Sequence, residues 1–155
     1  MDVTAAPQAL QLLVQQAQQQ RDQAQFALQQ AEKAAAQARE QSAQLSSYRD
    51  DYQKRWSAQF HQGGTMEILL CYRSFTQRLD QAVTMQARQA DLAAARQVQA
   101  RQALIESERR VAAVRKLLQR RAAEQAQLQR QRDQKQSDEL AQRIHWQAAS
   151  ARSAN

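Results

Sequence analysis

The chain has 155 residues, of which 33 are Gln, 31 are Ala and only 5% are aromatic. So few large apolar side chains argue against a thick core, and two Gly and one Pro leave little to interrupt helices. Ala and Gln are good helix formers, so the composition is typical of a coiled coil rather than a mixed globular fold. A Gln-rich disordered segment is the alternative, but the apolar residues keep a regular spacing that low-complexity tracts lack.

The formal net charge of +7 is concentrated in the later part of the chain. Residues 1–59 carry six basic and six acidic side chains, residues 60–118 carry nine and five, and residues 119–155 carry seven and four. A basic excess attracts an acidic protein surface, nucleic acid or anionic lipid, and charge alone does not choose among these partners.

A first long helix is predicted over about residues 7–59. Thr4 is its candidate N-cap, and Pro7 suits a first turn, where its missing N–H has no partner in any case. Eleven of thirteen positions spaced alternately three and four residues apart are apolar or aromatic, which is the heptad pattern of a coiled coil. These seam positions are Leu10, Leu13, Ala17, Gln20, Ala24, Ala27, Ala31, Ala34, Ala38, Gln41, Leu45, Tyr48 and Tyr52.

A tandem glycine, Gly63 and Gly64, predicts the turn that separates this helix from a second one. Nine of the twelve positions in the second seam are apolar. These positions are Leu79, Val83, Gln86, Ala90, Ala93, Gln97, Ala100, Leu104, Ser107, Val111, Val114 and Leu118. If the chain folds back at the glycines, each seam position of one helix lies opposite a seam position of the other. Most polar seam positions then meet each other, as Gln41 meets Gln86, which avoids burying an amide against an apolar side chain.

The sequence therefore predicts an all-α fold, a single domain over residues 1–155 in which two long helices form an antiparallel coiled-coil hairpin. The tip loop is expected at about 60–65, the second helix at about 66–146, and a loose tail at 147–155. Leu10, near the start of the first helix, pairs with Leu118. The second helix therefore continues beyond Leu118 without a partner and overhangs at the C-terminal end. Some 28 unpaired residues would project roughly 40 Å, and a single helix of that length is marginal in water.

The predicted tip is rich in aromatic side chains, with six of the eight in the chain between Tyr48 and Phe75. Tyr48, Tyr52 and Trp56 share one face of the first helix, and Tyr72 and Phe75 begin a matching row on the second. Two interpretations stay open. The rings close the hairpin end as a small core, or they form a binding patch, since two helices cover only one side of such rings.

The overhang combines isolated apolar side chains with basic ones. Its apolar points are Leu128, Leu140 and Ile144, and its basic residues include Arg120, Arg121, Arg130, Arg132, Lys135 and Arg143. A solvated helix and a helix that docks in a partner's cavity both remain open interpretations, although a long unpaired helix otherwise has little to hold it.

No residue pattern indicates an enzyme, a metal site or a cofactor. His61 and His145 lack metal-ligand spacing, and there is no glycine-rich phosphate loop. We interpret Cys71 as a small side chain near the tip rather than a nucleophile. Without a basic signal region or a bilayer-length apolar run, the chain is expected to be cytoplasmic, with no direct membrane insertion.

Three stretches, LSSYRDDY at 45–52, YRSFTQRLDQA at 72–82 and DQKQSDELAQR at 133–143, resemble the FliJ family of the flagellar type III export apparatus. The resemblance implies a non-enzymatic coiled coil similar to the central stalk of rotary ATPases. It implies docking in the ring of the export ATPase hexamer, promotion of that ring's assembly, and contact with the cytoplasmic domain of the export gate. It also implies contact with export substrate chaperones, and a cytoplasmic location at the membrane face of the flagellar base.

Matching positions give the expected gate contacts, and the unpaired overhang gives the expected ring-docking residues. The gate patch comprises Gln41, Leu45, Tyr48, Tyr52, Phe75, Leu79, Ala82 and Gln86. The ring-docking residues are Arg120, Arg121, Leu128, Arg130, Arg132, Asp133, Lys135, Leu140, Arg143 and Ile144. Family members often have His at the last gate position, and Gln86 departs from that pattern.

Other functions compete with this hypothesis. The stalk proteins of virulence type III secretion systems share the architecture, and the 133–143 match is the reason to prefer the flagellar branch. A basic coiled coil that binds nucleic acid fits less well, because most of the basic excess lies apart from the aromatic side chains. An amphipathic membrane-surface helix fits least, since a stripe of Ala buries little area in lipid.

Overall fold

The computed structural model describes the backbone of residues 5–154 and the side chains of residues 8–154. That part of the chain consists of two α-helices, α1 (Ala5–Phe60) and α2 (Met66–Ser153), and contains no strand. The all-α prediction is confirmed. The proposed N-cap, Thr4, lies outside the described residues.

The turn between the helices depends on its two glycines. Gly63 has a φ of 101°, a backbone conformation that side chains with a Cβ rarely adopt. A Cβ on Gly64 would lie 3.3 Å from the ring of Phe60, so a larger residue would crowd that ring. Thr65 then starts α2, since its Oγ1 accepts a hydrogen bond from the N–H of Ile68 at 3.5 Å, in the manner of an N-cap.

The chain divides into two compact units. The tip unit comprises residues 19–108, and the terminal unit comprises residues 5–18 and 109–154. Each unit contains a stretch of α1 and a stretch of α2.

Within the tip unit the two helices are antiparallel and remain in the predicted register. The Gln86 amide donates to the Gln41 amide oxygen at 3.2 Å, and the Tyr52 and Phe75 ring centroids are 4.6 Å apart. As positions rise along α1 they fall along α2, and the predicted pairing of Gln41 with Gln86 is confirmed. Ala35, only 2% exposed, marks where the helices pack most closely.

The prediction for the α2 seam is confirmed, because all twelve of its positions are buried or half-buried. The α1 seam is half wrong. The predicted positions Leu13, Gln20, Ala27, Ala34, Gln41 and Tyr48 are exposed, and their neighbours Val14, Arg21, Leu28, Ala35, Ser42 and Arg49 lie inward instead.

The α1 seam was predicted incorrectly in part because two sets of positions, one residue apart, both fit the apolar heptad pattern in this sequence. Ala occupies both 34 and 35, and apolar residues occupy both 13 and 14. The observed seam also includes arginines, and a charged residue at a seam position does not fit the apolar heptad pattern. Arg49 can occupy a seam position because a long side chain covers apolar surface with its aliphatic stem. Its guanidinium then pairs with Asp50 at 3.2 Å and with Asp80 of α2 at 3.8 Å.

In the terminal unit, burial is confined to the stretch where both helices are present. Ala17 and Val111 are 7% and 4% exposed, whereas every described residue from 119 onward is exposed. The helix also continues through 147–153, where a loose tail was expected. The composition of this stretch explains the continuation, because Ala, Gln and Arg are good helix formers and no Gly or Pro intervenes.

The corrected seam can be tested with two neighbouring alanines. Ala35→Leu should destabilise the protein by about 1–3 kcal/mol, because the added side chain overfills a closely packed contact. Ala34→Leu, one residue away and exposed, is the matched control and should change stability by less than about 0.5 kcal/mol. Urea unfolding monitored by circular dichroism measures both values, and equal effects would contradict the seam described above.

A second test concerns a buried hydroxyl in α2. The Oγ1 of Thr76 is inaccessible to solvent and has no hydrogen-bond partner among the described residues. Thr76→Val keeps the side chain's shape and removes the unsatisfied group, so the free energy of unfolding should rise by about 1 kcal/mol. Thr84→Val is the control, since the Thr84 hydroxyl donates to the Asp80 carbonyl at 2.9 Å. A control variant that gains as much stability would show that the Thr76 hydroxyl is not the cause.

Candidate functional site

Six aromatic rings form one continuous cluster at the turn end of the tip unit. The Tyr52 ring is its centre, with centroids 6.3 Å from Tyr48, 5.9 Å from Trp56, 5.9 Å from Tyr72 and 4.6 Å from Phe75. Phe60 completes the cluster against Trp56 and Tyr72. Contacts at these distances and inclinations stabilise aromatic pairs beyond the area they bury.

The cluster is a core on one side and a surface on the other. Tyr52, Trp56 and Tyr72 are half-buried, whereas Tyr48 is 53% exposed and Phe75 is 41% exposed. The core interpretation therefore holds for the inner rings, and the outer rings are exposed as a binding patch would require. The inner rings close the hairpin end, and the two outer rings present a firm apolar edge to solvent.

The structure brings the predicted gate-patch residues onto neighbouring parts of the tip unit. Gln41, Leu45, Tyr48 and Gln86 line one open groove of about 370 Å³. The exposed ring of Tyr48 connects this groove to the aromatic cluster, because it stacks on Tyr52 with an interplanar angle of 25°. The groove and the aromatic edge thus form a continuous surface that includes a hydrogen-bonded amide pair.

Two predicted gate-patch residues contribute differently from the rest. Leu79 is 7% exposed and belongs to the packed seam, so it supports the patch from beneath and offers a partner little area. Ala82 is half-buried beside it. The exposed part of the patch is therefore provided mainly by Gln41, Tyr48 and Phe75.

Sequence reasoning missed two features of the tip. Phe60 continues the four-residue spacing of Tyr48, Tyr52 and Trp56, so that spacing was the signal that could have placed it in the cluster. The ion pair between Arg49 and Asp80 had no comparable signal, since charged residues recur on every face of both helices.

The C-terminal segment, residues 119–154, presents all of its predicted docking side chains to solvent. Leu128, Leu140 and Ile144 are 54–61% exposed, and Trp146 is 77% exposed. The other predicted docking residues, all exposed, are Arg120, Arg121, Arg130, Arg132, Asp133, Lys135 and Arg143.

Polar contacts within the C-terminal segment support its helix. The Gln129 amide donates to Asp133 at 3.0 Å, and the Gln134 amide donates to Asp138 at 3.1 Å, each across one helical turn. Such pairs stabilise an isolated helix by a few tenths of a kcal/mol each, about 0.2–0.5. Arg121 also lies 4.0 Å from Glu124. The segment keeps an excess of basic over acidic side chains, seven to four.

In residues 5–154 no group of His, Cys, Asp and Glu is arranged to hold a metal ion. Cys71 is exposed on α2 as a free thiol. No helix in the described part of the chain is both long and apolar enough to cross a lipid bilayer.

Comparison with known proteins gives one clear result. The family model described as "Flagellar FliJ protein" matches residues 7–150, which is nearly the whole chain. No curated protein matches the chain, and no solved structure does. The matched family consists of non-catalytic coiled-coil proteins with a stalk-type role in the flagellar export apparatus. With a family match of this extent and a fold of two packed helices, the chain belongs to the FliJ family of flagellar proteins.

Proposed function

We propose that this protein is a central stalk of the flagellar export apparatus that couples the export ATPase to the export gate. Its C-terminal segment docks in the ring of the ATPase hexamer and promotes assembly of that ring. Its tip contacts the cytoplasmic domain of the gate. The protein acts in the cytoplasm, held peripherally at the membrane face of the flagellar base, and it also contacts export substrate chaperones.

The exposure of the C-terminal segment is the observation that carries this proposal. A single helix of some 35 residues gains nothing from tertiary packing, and isolated helices are only marginally stable in water. Leu128, Leu140 and Ile144 nevertheless lie exposed along it, as apolar anchors would in a helix that inserts into a cavity. The surrounding arginines suit a cavity wall that carries acidic side chains.

The tip supports the gate contact through its exposed aromatic edge. Tyr and Phe side chains that are held firmly and half exposed are frequent anchors of protein interfaces. Tyr48 and Phe75 have this character, since each packs against Tyr52 and leaves 41–53% of its surface free.

The family match favours the flagellar branch over a virulence secretion system, because the matching model describes a flagellar protein. A nucleic-acid partner has less support than the stalk function. The basic C-terminal segment carries seven basic side chains but one aromatic ring, Trp146, whereas binding of single strands uses several rings alongside basic side chains.

Truncation after Leu118 tests the ring-docking part. The shortened chain should no longer promote oligomerisation of the purified export ATPase or stimulate its ATP hydrolysis, because it lacks every exposed anchor of the C-terminal segment. Truncation after Trp146 is the matched control, since it retains those anchors and should behave like the full chain. Analytical ultracentrifugation and a hydrolysis assay provide the measurements. Full activity in the chain truncated after Leu118 would contradict docking through this segment.

Replacing Tyr48 and Phe75 together with Ala tests the gate contact. Loss of two aromatic anchors should weaken binding to the cytoplasmic domain of the gate at least about tenfold. Phe26→Ala is the control, because Phe26 is an equally exposed ring, at 62%, outside the cluster. Isothermal titration calorimetry measures the affinities, and circular dichroism checks that helicity is kept. Unchanged binding by the double variant would rule out this patch as the contact.

A further inference from the structure

A second groove lies on the tip unit, along one face of α2 from Leu69 to Arg88. Its volume, about 930 Å³, exceeds that of the gate-patch groove. Leu69 and Met85, at its two ends, are 43% and 63% exposed, and the half-buried ring of Tyr72 contributes to its floor. This groove contains an apolar surface that no described part of the chain covers.

This groove and the gate patch share no residue. The α2 seam continues back from Leu79 through Thr76 and Tyr72, which are half-buried. Arg73 and Asp80 each come one residue after a seam position and line the groove. Phe75 and Ala82 each come one residue before a seam position and belong to the gate patch. In an antiparallel coiled coil these two kinds of position flank the seam on opposite sides.

The groove carries a net positive charge, because two arginines and one carboxylate line it. Its one carboxylate, Asp80, lies 3.8 Å from the guanidinium of Arg49 and is thereby offset. Arg73 and Arg88 stand towards its two ends and form no ion pair with any described residue. An occupant with negative charge would therefore satisfy both arginines, and a positively charged one would be repelled.

We propose that this groove binds an acidic amphipathic helix of a partner protein, independently of the gate patch. The stretch from Leu69 to Arg88 is about 29 Å long, which matches a partner helix of roughly five turns. The apolar side of that helix packs on Leu69, Tyr72 and Met85, and its Glu or Asp side chains pair with the two arginines. A second copy of this chain fits poorly, because its own groove has the same positive charge.

The probe that tests this is a fluorescein-labelled synthetic helix of about 20 residues, with Leu at its heptad positions and Glu beside them. A control peptide has Lys in place of each Glu. Fluorescence anisotropy with the full-length protein should show the Glu peptide binding at least about tenfold more tightly than the Lys peptide, with affinity that falls as salt rises.

Substitutions then locate the binding. Arg73→Glu combined with Arg88→Glu should weaken the Glu peptide at least about tenfold and strengthen the Lys peptide. Arg96→Glu is the matched control, since Arg96 is an exposed arginine of α2 outside the groove, and its effect should stay within about twofold. Phe75→Ala should leave peptide binding unchanged, because it alters only the gate patch.

Several outcomes would overturn this proposal. Equal binding of the two peptides would show that charge does not select the occupant. Equal effects of the groove variant and Arg96→Glu would place the site elsewhere. A dimer in sedimentation equilibrium that Met85→Glu abolishes would show that a second copy occupies the groove. None of these results depends on gate binding, so the stalk function can fail or hold separately.

Discussion

Close approach of the two helices along a seam of small residues is the constraint on which the rest of the structure depends. Ala17 and Ala35 are among the few buried side chains, and each removes little apolar area from water. The hairpin is therefore stabilised by many small contacts rather than by a few large ones. Six of the eight aromatic rings lie at the turn end, where they form one cluster.

Periodicity and the tandem glycine were enough to predict the two helices, the turn and the register. The α2 seam came out correctly because Leu79 stands among polar neighbours and Leu104 and Val111 continue its heptad spacing. The α1 seam did not, because Ala34 and Ala35 are indistinguishable to pattern reading. Only the packed geometry shows which of the two alanines contacts α2. Helix continuation through 147–153 was missed for a related reason, since helix propensity rather than hydrophobic spacing supports it.

The candidate sites, too, could be predicted only in part from the sequence. Spacing alone indicated the aromatic face, and the structure joins its rings into one cluster. Whether a given ring is core or surface could not be predicted, because that depends on how much the opposing helix covers. The α2 groove could not be predicted from the sequence, for another reason. Its charge depends on Arg49 of the other helix reaching Asp80, and no local pattern reports a contact between residues so far apart in sequence.

The central position of Tyr52 has a consequence for binding at the tip. Its ring contacts four others, so Tyr48 and Phe75 are held in place before any partner arrives. Side chains that are mobile in the free protein lose rotamer freedom on binding, at a cost of about 0.5–1.5 kcal/mol each. Here folding has already restricted the two outer rings. The tip is therefore a pre-organised surface, and a partner meets it as a rigid shape rather than one that must be ordered during association.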